Sequence, residues 1–151
     1  FTHIITKNTN PLSLSNFQKK LETGDKSSTL ILDTRDQKTV LADGHIPNSI
    51  NISLLAQFEI WVGTVISPQL RLLLVNSANS DKEAIKKLAM IGFDNIEGYL
   101  DGGFNIWKEQ RLPIEKIHSV KHEDVPNYIY KTNNIIIDVR EQHEWETGVL
   151  P

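Results

Sequence analysis

No cysteine occurs among the 151 residues. That excludes a disulfide scaffold, a thiolate zinc site and a cysteine nucleophile within this chain. Charge of one sign is also lacking. Lys and Arg number 16 against 19 for Asp and Glu, and a net charge of −3 favours neither nucleic acid nor an anionic membrane as partner. No apolar run approaches the roughly 20 residues of a membrane span. The longest, "LLLV" and "NIIIDV", are strand-sized. No signal peptide is visible, since the chain opens directly on "FTHIIT", so a cytoplasmic setting is the default. An initiating Met is absent, and the last residues "GVLP" fall within a repeated motif, so the chain reads as part of a longer polypeptide. What is present is ordinary for a globular protein, with 39% apolar and 23% charged residues. The length suffices for one domain with a real core, or for one domain and part of a second.

Strands alternate with helices along the chain. "HIIT" (3–6) reads as a short strand. The stretch 13–24 predicts a helix, capped by Ser13 or Ser15, with Leu14, Phe17 and Leu21 on one face and Gly24 as its stop. "STLILD" (28–33) reads as a buried strand. Residues 37–44 form a helical turn ending at Gly44, after which "HIPNSINIS" returns extended. An amphipathic stretch at 54–67 carries Leu55, Phe58, Trp61, Val62 and Val65, and "QLRLLLVN" is a central strand. The clearest helix covers 80–92. Ser80 and Glu83 suit a capping box, Ala84, Leu88 and Ile91 face inward, and Gly92 ends it. "DNIEGYL" is a further strand. Gly102 and Gly103 fit a tight turn into a last helix carrying Phe104 and Trp107. This alternation predicts an α/β fold with a doubly wound parallel sheet flanked by helices.

The pattern then restarts. "TLILDTRDQ" recurs as "NIIIDVREQ" at an offset of 105, and "GHIP" recurs as "GVLP". Two copies of one domain are expected, the first over 1–113 and the second beginning at 114–151, with a brief linker near "RLPIEK". Asp33 with Arg35, and Asp138 with Arg140, read as a fold-holding pair because they recur with the fold. His45 reads as a turn residue bonded to backbone. His118 and His122 have the i, i+4 spacing of zinc ligands on a helix. They flank the expected start of the second copy's first helix, with Pro126 nearby, so no metal site is assigned. Trp61 and Trp107 are expected in the core or at a domain interface.

The combination of Asp33-Thr34-Arg35, "GHIPNSINI", the strand and loop at 72–80 and "GFDNIEGYLDGGFNIW" resembles a rhodanese (sulfurtransferase-like) domain, in the right order over nearly all of 1–113. "FEIWVGTVI", "NSANSDKE" and "GYLDGGFNIW" resemble more closely the rhodanese modules that follow a metallo-β-lactamase-fold domain, a fusion group that includes persulfide dioxygenases of sulfide detoxification. The resemblance implies such a domain before Phe1, with iron or zinc held there by His and Asp, and no cofactor in this chain. The implied partners are that domain and the rest of the second rhodanese domain. A homo-oligomer is left open, and neither nucleic acid nor membrane is implied.

An active rhodanese carries a Cys at the end of the central strand and a short loop curling around it. Here Asn76 matches the Cys position, followed by Ser77, Ala78, Asn79 and Ser80. Asp81 stands where many members carry Arg. An amide is no sulfur nucleophile, and neither Ser77 nor Ser80 has a base in this stretch. Asp81 and Glu83 favour the helix through its dipole and disfavour a bound anion. The expected function is therefore a non-catalytic module with a structural or inter-domain role. A stand-alone binding or regulatory protein is the alternative, and a sulfurtransferase using a Cys beyond Pro151 is the weaker one.

Overall fold

The computed structural model describes residues 10–24, 28–55, 57–129, 131 and 133–148. The strand expected at 3–6 lies outside these. Among the described residues, ten elements build the first unit. They are β1 (Pro11–Leu12), α1 (Leu14–Thr23), β2 (Thr29–Asp33), α2 (Gln37–Asp43), β3 (Ser49–Asn51), α3 (Phe58–Val65), β4 (Arg71–Val75), α4 (Asp81–Met90), β5 (Ile96–Leu100) and α5 (Gly103–Glu109). The five strands form one sheet in the order β1-β5-β4-β2-β3, every pair parallel.

Alternation along the strands divides the core. Leu72 and Leu74 of β4 join Leu32, Phe58, Val62, Ala84, Ile85 and Leu88 under α3 and α4. Leu73 and Val75 point the other way and join Phe17, Ile31, Phe104 and Trp107 under α1 and α5. Because successive side chains leave a strand on opposite faces, a run of four aliphatics supplies both layers at once. The expected doubly wound α/β sheet is what forms, and Trp107 is in its core.

Local expectations change at three places. The helix expected over 54–67 begins only at Phe58, so Leu55 lies in the preceding turn. Of the five apolar residues placed on its stripe, Phe58 and Val62 are buried, while Leu55, Trp61 and Val65 are 78%, 53% and 54% exposed. Ser80 and Glu83 form no capping box. Ser80 is the N-cap by position, but its backbone (φ −97, ψ 1) lacks the extended geometry of a capping side chain, and its hydroxyl donates to the Ser77 carbonyl at 2.8 Å. That helix runs to Met90 and Gly92 stops it as expected, in the left-handed region (φ 83) with its N–H donating to the Ala89 carbonyl at 3.3 Å and Phe93 N–H donating to the Leu88 carbonyl at 3.0 Å, while Ile91 is only partly buried. A strand unforeseen in the sequence, β1, pairs with β5, Pro11 opposite Tyr99.

Residues 114–117 belong to this first unit, which runs to Ile117. Glu115 and His45 exchange backbone hydrogen bonds of 2.9 and 3.0 Å. Gly44 (φ 90) brings its backbone so close that a Cβ there would meet Ile114 at 2.5 Å.

A second compact unit covers His118–Pro151. It holds a turn at His122–Asp124, a one-turn helix Pro126–Ile129 (α6) and a 3₁₀ stretch Gln142–Thr147. No strand is present over 134–139, where an aliphatic strand was expected. Ile135, Ile137 and Val139 are 88%, 76% and 90% exposed, since no neighbouring strand among the described residues covers them.

Candidate functional site

In a parallel sheet the loops that leave the carboxyl ends of the strands converge on one edge, and ligands bind there. Three such ends meet at a cleft of about 500 Å³. It is lined by Arg35 after β2, Asn76–Asn79 and Asp81 after β4, and Tyr99–Asn105 around the end of β5.

Asn76 directly follows β4 and is 4% exposed. Its Oδ1 accepts from the Thr34 hydroxyl at 2.7 Å, and its Nδ2 donates to Asp81 Oδ1 at 2.9 Å. The side chain thus ties the end of β2 to the first residue of α4. Ser77, Ala78 and Asn79 are exposed. Asn79 turns the loop in the left-handed region (φ 63), and Ser80 N–H returns to the Ser77 carbonyl at 3.2 Å. On the far wall, Gly103 (φ 58) leads into α5, and a Cβ there would lie 2.9 Å from the Asn76 carbonyl oxygen. The sequence singled out Asn76 and Asp81 but not the bond of Asn76 to Thr34, which follows β2 and is 42 residues away.

Asp33 and Arg35 form a buried pair, 0% and 4% exposed. Arg35 Nε donates to both carboxylate oxygens at 2.9 and 3.1 Å, and Nη2 donates to Asp33 Oδ2 at 2.6 Å and to the Gly44 carbonyl at 2.8 Å. The Asn51 amide donates to the backbone carbonyls of Asp33 and Arg35 at 2.9 and 3.0 Å. Phe104 lies 3.9 Å beneath the guanidinium carbon. The pair fastens the chain leaving β2 to the end of α2. In the second unit the same atoms repeat. Arg140 Nε meets Asp138 at 3.0 and 3.2 Å, and Nη2 donates to Asp138 Oδ2 at 2.7 Å and to the Gly148 carbonyl at 2.9 Å. The hydrogen bonds from Arg140 hold the Asp138 carboxyl below the usual carboxylate range.

His45 stands apart from the cleft. Its Nδ1 is 3.0 Å from the Ile46 carbonyl and 3.1 Å from Ser49 Oγ, as a turn residue would be. His122 opens its own short turn and His118 precedes it, so they share no helix. Among the described residues no three His, Asp or Glu converge as a metal site would need, and no helix is long and apolar enough to cross a membrane.

The electrostatics of the cleft are acidic. Asp43 is matched by Lys108 at 3.0 Å, whose hydrogen bond lowers the Asp43 pKa. Asp33 matches Arg35. Asp81 and Asp101 have no cation within ion-pair distance among the described residues. Tyr99 is pushed up, first by burial and then by the nearby Asp81 and Asp101 charges.

Fold and cleft together define an α/β domain whose site would sit on the loop between the central strand and the helix after it. The rhodanese-like domain family matches residues 13–110, and the chain belongs to it. A crystal structure of the Alr3790 protein from Anabaena superposes with a TM-score of 0.60 at 22% identity, over 77% of this chain and 86% of that one. The BH2092 protein from Bacillus halodurans does so at 0.60 and 17% identity, over 83% and 95%. RPA3614 from Rhodopseudomonas palustris, described as a possible tyrosine phosphatase, gives 0.53 and 19% over 76% and 92%. At these identities the likeness is one of fold. No curated protein matches the chain.

Proposed function

We propose that this rhodanese-like domain performs no sulfur transfer and serves as a structural module of a larger sulfur-handling enzyme. One observation carries the reading. At the end of β4, where an active member holds its thiol, Asn76 spends its amide on Thr34 and Asp81. No group there can accept a sulfane sulfur. The acidic start of α4 opposes the anion that a persulfide would be. A phosphatase of this fold would need the same thiolate and a phosphate-binding cation, so it is not adopted.

The repeated Asp-Arg clasp with its glycine carbonyl supports a second rhodanese-like copy, beginning after Ile117 rather than at 114. The parent is read as a cytoplasmic fusion with a metallo-β-lactamase-fold domain of the persulfide dioxygenase type. That domain would hold iron or zinc, and this module would space it from the second copy or pair with another subunit. The test is a thiosulfate-to-cyanide transfer assay on the purified chain. Thiocyanate formation at the rate without protein is expected; turnover that scales with protein overturns the proposal.

A further inference from the structure

Between His45 and Arg71 this chain, 23% charged overall, carries a single charged residue, Glu59. Glu59 turns to Lys87 on α4 at 3.1 Å, so its charge is spent within the domain. The outer face of α3 is left without charge, where a surface helix ordinarily carries charged and polar residues. Ile60, Trp61, Thr64 and Val65 share that face by helical spacing, and Ile60 is 63% exposed. The Thr64 hydroxyl donates to the Ile60 carbonyl at 2.8 Å and so offers nothing outward. A Cβ at Gly63 would meet nothing within 4 Å. Beside the helix lies a groove of about 370 Å³, walled by Trp61 and Val65 and by Ile50, Ile52 and Ser53 in and after β3.

Three features say what covers this face. The first is electrostatic. A two-fold contact sets a patch against itself, so each charge meets its like, and a patch without charge pairs with itself free of repulsion. The second is shape. Protruding Ile60 and Trp61 stand beside a groove, and a two-fold axis sets the protrusion of each copy against the groove of the other. The third is area. Leu55, Ile60, Trp61 and Val65 together expose on the order of 500 Å². Two copies would bury roughly 1,000 Å², the lower end of specific interfaces. Ile135, Ile137 and Val139 are also exposed, but a strand-type run calls for strand neighbours, which the second copy read above would itself supply.

We infer that the outer face of α3 is a self-association surface, at which two copies of this chain meet about a two-fold axis with Trp61 as the anchor. The contact is small and has no ion pairs, so the dimer is weak and forms at roughly tens to hundreds of micromolar. In a dilute unfolding titration the chain is a monomer and Trp61 stays in water. This names the surface for the pairing between subunits proposed above and rests on that part of the reading, not on the absence of sulfur transfer.

The test is sedimentation velocity of the full chain from low micromolar to several hundred micromolar, repeated with Ile60→Lys and with Ile137→Lys. The parent is expected to move from the mass of one chain, 17.2 kDa, towards twice that as concentration rises. Ile60 is exposed and outside the core, so Ile60→Lys keeps the fold, as circular dichroism will confirm. It sets two new lysines in one interface and is expected to weaken association about tenfold or more. Ile137→Lys removes an equally exposed aliphatic from the second unit and is expected to associate as the parent does. A chain that stays monomeric at every concentration overturns the inference. So does association that survives Ile60→Lys unchanged, or that Ile137→Lys abolishes. The sulfur-transfer assay reads a separate claim. Turnover removes the functional proposal and leaves this surface standing, whereas a monomer that transfers no sulfur removes only this inference.

Discussion

At the residue scale the decisive side chain is Asn76. Its amide satisfies the Thr34 hydroxyl and engages Asp81 in a spot that is 4% exposed. Asn76→Ala leaves a buried donor without its acceptor, so a loss of about 1–3 kcal/mol in unfolding free energy is expected from denaturant titration. Asn76→Asp keeps the shape but sets two carboxylates against each other. Burial and the Asp81 charge raise the new carboxyl above its unfolded value. A group raised in the folded state contributes its stability below the unfolded pKa and loses it as pH rises. The variant is therefore expected to match the parent near the unfolded carboxylate pKa and to fall behind it towards neutral pH, as melting temperatures against pH will show. Asp43 gives the opposite sign. Its pKa is lowered from 3.8 by the Lys108 hydrogen bond, so its contribution is present above 3.8 and fades as pH falls through the lowered value. Asp43→Asn is expected to flatten that acid limb in the same measurement.

At the scale of elements, one five-residue pattern appears in two settings. Around Asp33 and Arg35 the clasp is sealed under Phe104 and the sheet; around Asp138 and Arg140 the same bonds stand in the open. Removing one partner of a buried pair strands the other charge. Arg35→Ala is expected to cost about 3–5 kcal/mol by denaturant titration, whereas Arg140→Ala should barely move the transition. The helix α3 offers a second contrast. Phe58→Ala opens a cavity in the core and should cost about 3–5 kcal/mol. Trp61→Ala, with the ring half in solvent, should stay within about 0.5 kcal/mol. Equal losses at the two positions would mean that α3 packs on a different face. The sequence could not separate Phe58 from Trp61, since both fit an amphipathic stripe. What decides between them is which edge of that stripe meets the core: Phe58 and Val62 pack into it, while Trp61 and Val65 stay exposed.

At the scale of the molecule, the parallel sheet was legible because its evidence is local. Aliphatic runs bounded by turn residues mark β2 and β4, and a glycine after α1 and α2 marks where each helix stops. The position of the candidate loop was legible for the same reason, being the stretch between "LLLV" and the next helix. Contacts that cross the sheet were not. The Thr34–Asn76 bond, the Asn51 clamp on β2 and the pairing of Glu115 with His45 join residues far apart in sequence. The strand expected at 134–139 failed for a related reason. Its composition suits a sheet, but a strand exists only with a neighbour to bond, and none among the described residues pairs with it.

The central claim is that the loop after β4 has lost both the nucleophile and the electrostatics to support one. The direct test is the intact mass of the Asn76→Cys variant after incubation with thiosulfate. Asp81 at the start of α4 is predicted to disfavour both the thiolate and a persulfide anion, so the mass should stay that of the free thiol. A stoichiometric gain of one sulfur atom would contradict this, and would show that the residue exchange at position 76 alone silenced the site.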